Sequence, residues 1–158
     1  MASRQSAGGR RQVVSSFTII KGAMIAETYA TFAGWDLHET KTANLQRLKQ
    51  TNYIGARSEN WLRDVAFVIS RRFDPSGRDR PLVLLAKGHC DLEVWKPLLL
   101  WHITRDEFLL RDFLSHSLFS AYESGVYQLR LDDLDGYLAS VAERGGKTEH
   151  QWTEATRK

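Results

Sequence analysis

Residues 58–73 carry the sequence pattern that most restricts the fold. Ser58 can cap a helix N-terminus through its side-chain oxygen, and the turn-forming run Asp-Pro-Ser-Gly at residues 74–77 ends the segment. Between them, apolar residues recur at the spacing of one helix face: Leu62, Val65, Ala66, Ile69 and Phe73. Because such a stripe must be buried, the segment predicts an amphipathic helix that packs against other helices.

Similar signals continue along most of the chain. They predict helices from Ser15-Ser16 to Gly34, from Thr40 or Thr42 to Asn52, over residues 82–87, 91–103 and 105–122, and after Asp132-Asp133. Thr104 and Glu107 have the form of a capping box for the helix over 105–122, which is apolar on nearly all sides and is therefore expected in the middle of a bundle. The chain is predicted to be all-α, a single compact bundle of about seven helices.

The domain organisation follows from composition and length. Residues 1–14 are rich in Ser, Gly, Arg and Gln and lack periodicity, which predicts a flexible basic N-terminal tail. No internal repeat or long linker divides the rest, so residues 15–158 are predicted to form a single helical domain. Residues 152–158 resemble the first turns of a helix, which is consistent with a missing C-terminal part.

The sequence predicts a cytoplasmic protein. Its one cysteine, Cys90, cannot form an internal disulfide, which favours a reducing compartment. No apolar run approaches the roughly 20 residues of a membrane span, and charged residues interrupt the apolar stretch that follows the basic N-terminus. We therefore expect neither export nor membrane insertion.

Groups of catalytic residues are not evident. The five histidines form no His-Glu-x-x-His motif, and His102 is expected to be a surface or core histidine. Cys90 directly follows His89, and adjacent residues rarely face each other as nucleophile and base. The chain also lacks a Gly-x-x-x-x-Gly-Lys-Ser/Thr phosphate loop. We therefore predict a protein that is not an enzyme and has no catalytic residues, metal site or cofactor.

Charge is unevenly distributed along the chain. The net charge is +3, yet residues 1–90 hold 14 basic and 7 acidic side chains, whereas residues 91–150 hold 6 basic and 11 acidic ones. Such asymmetry favours a basic face for a polyanion and an acidic face elsewhere. Chance clustering of charges on a solvated surface is the alternative.

The basic residues concentrate between positions 47 and 87. Arg63, Phe67 and Arg71 share a second face of the helix over 58–73, where the guanidinium groups can contact phosphates and the aromatic ring can pack on a sugar or base. Arg57 precedes the helix N-terminus, where the dipole favours anions. Alternatively, Phe67 widens the core face, and the arginines pair with Glu59 and Asp74.

Several runs of residues, taken in order, resemble the BrxA family of accessory proteins from BREX (bacteriophage exclusion) phage-defence systems. The resemblance covers roughly residues 16–158 and rests on the runs 17–23, 52–58, 98–101 and 131–133, together with Glu27, Trp35-Asp36, Arg71-Arg72, Arg105, Phe108 and Arg111-Asp112-Phe113. It implies an all-helical fold, likened to that of a small RNA-binding antitermination factor. It also implies DNA binding and a role beside methyltransferase, ATPase and phosphatase-like components.

The resemblance carries over Arg57, Arg71 and Arg72 as DNA contacts, whereas Arg47, Lys49 and Arg63 are predicted from charge alone. The leading hypothesis is a DNA-binding accessory protein whose basic helical face contacts mainly the phosphates of double-stranded DNA. The alternative is an adaptor that joins proteins of the defence complex without binding nucleic acid. Exposed aromatic residues and the acidic half of the chain would then dock the partner.

Overall fold

A computed structural model describes residues 13–14, 21–143 and 147–148. Its elements are β1 (Val13–Val14), α1 (Ile25–Ala33), α2 (Lys41–Thr51), α3 (Glu59–Arg72), α4 (Arg80–Lys87), α5 (Leu92–Thr104), α6 (Phe108–Asp112), a π-helical segment (Phe113–Leu118), α7 (Phe119–Glu123), α8 (Leu131–Glu143) and β2 (Lys147–Thr148). Because α6, the π-helical segment and α7 follow one another without a break, the described residues form seven continuous helices. The predicted all-α class is confirmed.

The chain divides into two compact units. One is Lys21–Glu107, and the other combines Met1–Ile20 with Phe108–Lys158. In the second unit, β1 and β2 pair in parallel as two short strands. Most of the predicted flexible tail over residues 1–14 lies outside the described residues, as does the predicted helix start at Ser15-Ser16. The single domain predicted over residues 15–158 stays a prediction.

The core of the Lys21–Glu107 unit is built around α3. Its predicted apolar stripe is confirmed, because Leu62, Val65, Ala66, Ile69 and Phe73 are all buried. Aromatic rings from other helices complete this core in edge-to-face contacts. The Phe32 ring centroid lies 5.3 Å from that of Phe73 and 6.3 Å from that of Trp95.

The helix ends in this unit follow the predicted capping residues. The Thr40 hydroxyl oxygen accepts a hydrogen bond from the backbone N of Ala43 at 3.1 Å. Similarly, Ser58 Oγ accepts from the backbone N of Trp61 at 3.2 Å. Asn52 adopts a left-handed conformation at the end of α2. The predicted starts of α2 and α3 and the predicted end of α2 are therefore confirmed.

The first predicted helix is interrupted at residues 22–24. The helix after this break, α1, begins at Ile25 and ends at Gly34 as expected. Gly22 and Met24 have φ angles of 61° and 47°, in the left-handed region that a right-handed helix cannot contain. The prediction of one continuous helix through residues 22–24 is wrong. The periodicity of apolar side chains does not indicate where the backbone adopts a left-handed conformation.

The capping box predicted at Thr104 is also wrong. Thr104 is the last residue of α5, and its hydroxyl donates to the carbonyl oxygen of Trp101 at 2.8 Å. The backbone N of Glu107 donates to the carbonyl oxygen of Ile103 at 3.1 Å instead. The next helix therefore begins at Phe108, and the Glu107 carboxylate is left to pair elsewhere.

The other unit has a smaller core made by Leu109, Tyr137 and Val141, against which Phe108, Phe113 and Leu138 pack. The Tyr137 hydroxyl lies 3.0 Å from the Leu109 carbonyl and 2.9 Å from Asp112 Oδ2. The predicted central burial of the helix over 105–122 is wrong for its second half, because Phe119 is 53% and Tyr122 62% exposed. Among the described helices, none is long and apolar enough to cross a membrane.

Candidate functional site

The face of α3 opposite its buried stripe presents two cations and one aromatic ring. Arg63, Phe67 and Arg71 are all exposed, and Phe67 leaves 52% of its surface to solvent. Phe67 therefore does not widen the core face. The Arg63 guanidinium donates to the Asn60 side chain rather than pairing with Glu59. We call these three residues the α3 basic stripe.

Both ends of α3 are fixed, which holds the basic stripe in place. Ser58 caps the N-terminus. At the other end, Lys41 Nζ donates to the carbonyl oxygens of Ser70 and Phe73, each at 2.6 Å. A cation at the C-terminal carbonyls also complements the helix dipole. Burial lowers the pKa of Lys41, because it removes water from the ammonium group.

Two further predicted contacts lie on the surface near α3. Arg57 is exposed in the loop that leads into the Ser58 cap, and Lys49 is exposed in the last turn of α2. Four of the six predicted contact residues are thus accessible to a ligand: Lys49, Arg57, Arg63 and Arg71.

Arg72, predicted as a DNA contact, lies in the interior instead. Its side chain is 2% exposed. Nη1 donates to the Gly22 carbonyl oxygen at 2.7 Å, and Nε lies 3.5 Å from Glu107 Oε1. Burial lowers the pKa of Arg72, and the Glu107 charge opposes that shift. Because one residue of helix rotates a side chain by about 100°, Arg72 falls on the buried face beside the exposed Arg71. In this position Arg72 stabilises the fold and is not accessible to a ligand.

Arg47 is likewise occupied by contacts within the protein. Its Nη1 donates to the Gly34 carbonyl oxygen at 3.0 Å, its Nη2 to Asn44 Oδ1 at 2.7 Å, and its Nε to Glu39 Oε2 at 3.3 Å. The guanidinium carbon also lies 5.5 Å from the centroid of the Tyr53 ring. With its nitrogens engaged in this way, Arg47 joins α2 to the end of α1 and offers little to phosphate.

A buried ionic cluster was not predicted from the sequence. Asp79 is 1% exposed, and its Oδ1 lies 2.5 Å from both His102 Nδ1 and Arg105 Nη2. Its Oδ2 accepts from the backbone N of Asp74 at 2.7 Å. His102 is thus a core histidine, one of the two positions expected for it. The cluster joins the start of α4 to the end of α5. No group of side chains in the described residues is suited to hold a metal ion.

A shallow groove beside the N-terminus of α3 was also missed. Glu27, Ile54, Gly55, Ala56, Arg57 and Trp61 line it, and its volume is about 410 Å³. Trp61 lies outside the core pattern of α3 and is 39% exposed. A tryptophan outside the apolar stripe is the sequence signal that could have indicated this groove. The contribution of Glu27 could not have been predicted, because it depends on the packing of α1 near α3.

These features define an all-α protein whose central helix presents a fixed basic face to solvent. The chain belongs to the BrxA family, whose model matches residues 16–158. Membership identifies it as an accessory protein of BREX phage defence. No curated protein and no solved structure gave a match.

Proposed function

We propose that this protein is a non-enzymatic DNA-binding component of BREX phage defence and acts in the cytoplasm. The α3 basic stripe carries the proposal, because it places two guanidinium groups and an exposed ring on one face of a helix fixed at both ends. Arg57 and Lys49 extend the positive surface around it. Double-stranded DNA and other proteins of the defence system are the proposed partners.

The spacing of the stripe suits a nucleic-acid backbone. Arg63 and Arg71 are eight residues apart, which on a helix is roughly 12 Å along the axis. One strand of B-DNA advances about 3.4 Å per nucleotide, so the two guanidinium groups span the axial length of three to four phosphates. Phe67 lies between them and can pack on a sugar. Such contacts bind phosphate with weak sequence preference.

Direct binding measurements test the proposal. The affinity for a fluorescent random-sequence duplex is measured by anisotropy at low and at physiological salt. We expect wild type to bind and to weaken as salt rises, because phosphate contacts release counterions. The variant Arg63→Glu/Arg71→Glu should remain folded by circular dichroism and lose most of its affinity. A folded wild-type protein that binds no duplex at low salt would refute DNA binding.

A second candidate function is that of an adaptor, and one surface favours it. The unit that combines Met1–Ile20 with Phe108–Lys158 has an apolar groove of about 630 Å³. Its lining residues are Leu114, Leu118, Phe119, Tyr122, Val126, Tyr127 and Leu129. Exposed apolar patches of this kind are typical of sites that bind another protein. If the duplex assay fails, co-purification with the other defence components, compared between wild type and Tyr122→Ser, is the corresponding test.

A further inference from the structure

The groove beside α3 is bounded by a rigid loop. The Asn52 side chain spans this loop: Nδ2 donates to the Ala56 carbonyl oxygen at 2.9 Å, and Oδ1 accepts from the Ala56 backbone N at 2.8 Å. Gly55 has a φ of +66°, in the left-handed region that favours glycine. A groove with a preformed wall costs little ordering entropy when a ligand binds.

The same loop is held against α1. The Tyr53 hydroxyl donates to the Thr31 carbonyl oxygen at 3.1 Å. The Tyr53 ring lies so close to Gly34 that a Cβ atom there would come within 2.5 Å of it. Since Glu27 lies in the first turn of α1, this packing fixes the loop relative to the Glu27 side of the groove.

Three different functional groups line the groove. They are the Glu27 carboxylate, the Arg57 guanidinium and the Trp61 indole. Within the part of the chain that the structure describes, none of these side chains forms a hydrogen bond or ion pair. Glu27 is half-buried at the edge of the groove. An acceptor, a cationic donor and a flat aromatic surface are therefore all available to a ligand.

We propose that this groove binds an unpaired guanine of DNA, an inference that rests on the proposed DNA binding. The Trp61 indole stacks on the base, and Arg57 contacts an adjacent phosphate. Glu27 accepts hydrogen bonds from the N1–H and the N2 amino group of guanine, two adjacent donors on its Watson–Crick edge. Thymine presents one donor between two carbonyl oxygens there, so the carboxylate disfavours it.

The size of the groove and the chemistry of duplex DNA agree with this ligand. One water occupies about 30 Å³, so a groove of about 410 Å³ has room for a purine, whose ring system is close in size to indole. In a paired duplex the same edge of guanine is bound to cytosine. The groove is therefore selective for overhangs, bulges or opened base pairs, whereas the α3 basic stripe binds duplex of any sequence.

Overhang duplexes test this proposal. Anisotropy compares three fluorescent DNAs with the same paired region: a blunt duplex, one with a short guanine overhang and one with a thymine overhang of equal length. We expect the guanine overhang to bind roughly tenfold more tightly than the blunt duplex. It should also exceed the thymine overhang by at least about fivefold, because a bidentate contact discriminates between bases.

Two pairs of variants separate the roles of the groove residues. Trp61→Ala should remove the overhang advantage, whereas Trp101→Ala, an exposed tryptophan outside the groove, should keep it. Glu27→Gln should remove the preference for guanine over thymine. Glu59→Gln, in the first turn of α3, removes the same charge at an exposed position outside the groove and should keep that preference.

The outcomes distinguish the groove from the basic stripe. If all three DNAs bind equally well and weaken with salt, the groove proposal is overturned and DNA binding stands. Loss of the guanine preference in both glutamate variants overturns the assignment of Glu27. If wild type binds none of the DNAs at low salt, both proposals fail together.

Discussion

The Arg72 guanidinium lies 3.5 Å from the Glu107 carboxylate, while the neighbouring Arg71 faces solvent. Two adjacent arginines, both predicted to contact DNA, thus occupy opposite environments. Replacing Arg72 leaves the half-buried Glu107 charge without this partner and leaves the Gly22 carbonyl without its donor. A variant that reverses the charge of both arginines would therefore combine a loss of DNA affinity with a loss of stability.

The first prediction separates these two effects. Arg72→Ala should lower the free energy of unfolding by about 3 kcal/mol, because it breaks a buried ion pair. Arg71→Ala should change stability by less than about 0.5 kcal/mol, as is usual for an exposed position, and should weaken duplex binding. Urea denaturation followed by circular dichroism, alongside anisotropy, measures both quantities. Equal stability losses in the two variants would contradict the burial of Arg72.

A second prediction concerns the salt dependence of binding. Each phosphate contact contributes about one unit to the slope of log affinity against log salt. Arg63→Ala/Arg71→Ala should therefore reduce that slope by about two units. Arg111→Ala, an exposed arginine outside the basic half of the chain, serves as the control and should leave the slope almost unchanged. A similar reduction of the slope in both variants would indicate a general effect of net charge and would contradict a defined interface at the α3 basic stripe.

The third prediction addresses the buried Asp79 cluster. Asp79→Ala leaves the His102 and Arg105 side chains without their shared acceptor and should destabilise the protein by about 3 kcal/mol. Asp79→Asn retains one acceptor oxygen of similar size and should cost less. Urea unfolding gives both values. DNA affinity, measured on the folded fraction, should remain unchanged, and a specific loss of affinity would place the cluster in the binding surface.

A fourth prediction follows from the Tyr53 hydroxyl. Burial raises the pKa of Tyr53 above its usual 10.0, because the folded state favours the neutral phenol. The stability that depends on neutral Tyr53 is fully present below pH 10 and is lost as the pH rises through the folded-state pKa. Tyr53→Phe should cost about 1 kcal/mol at pH 8, because it removes the hydrogen bond to Thr31.

Above pH 10, wild type should lose stability faster than Tyr53→Phe, so the difference between the two unfolding free energies should shrink. Urea titrations at pH 8 and at successive values above 10 measure this difference. Tyr127→Phe, at a tyrosine that is 76% exposed, controls for the effect of removing a surface hydroxyl. A gap that stays constant across the alkaline range would contradict the coupling of Tyr53 ionisation to folding.

Local sequence determined much of the fold. The Thr40 and Ser58 caps and the apolar stripe of α3 depend on residues within a few positions of one another, where helix geometry relates side chain to side chain directly. The exposed face of Arg63, Phe67 and Arg71 follows from the same periodicity. Where local rules compete, prediction failed: Thr104 and Glu107 match a capping box, yet α5 continues through Thr104.

Long-range packing determined which arginines form contacts within the protein. Arg72 is separated from Gly22 by 50 residues in sequence, and Asp79 from Arg105 by 26, so no local pattern relates them. The groove formed by Glu27, Arg57 and Trp61 likewise exists only because α1 and the loop before α3 come together.

The sequence by itself therefore determined most of the helical segments and which face of α3 is apolar, because these properties follow from spacing along a single helix. It also determined where positive charge concentrates along the chain. Only the tertiary structure decided which cations are buried and which remain open to a ligand. Burial of a charge depends on whether distant groups supply its hydrogen bonds, as Gly22 and Glu107 do for Arg72. Arg71 and Arg72 are neighbours in the chain, yet Arg72 lies on the side of α3 that meets Gly22 and Glu107, whereas Arg71 lies on the exposed side.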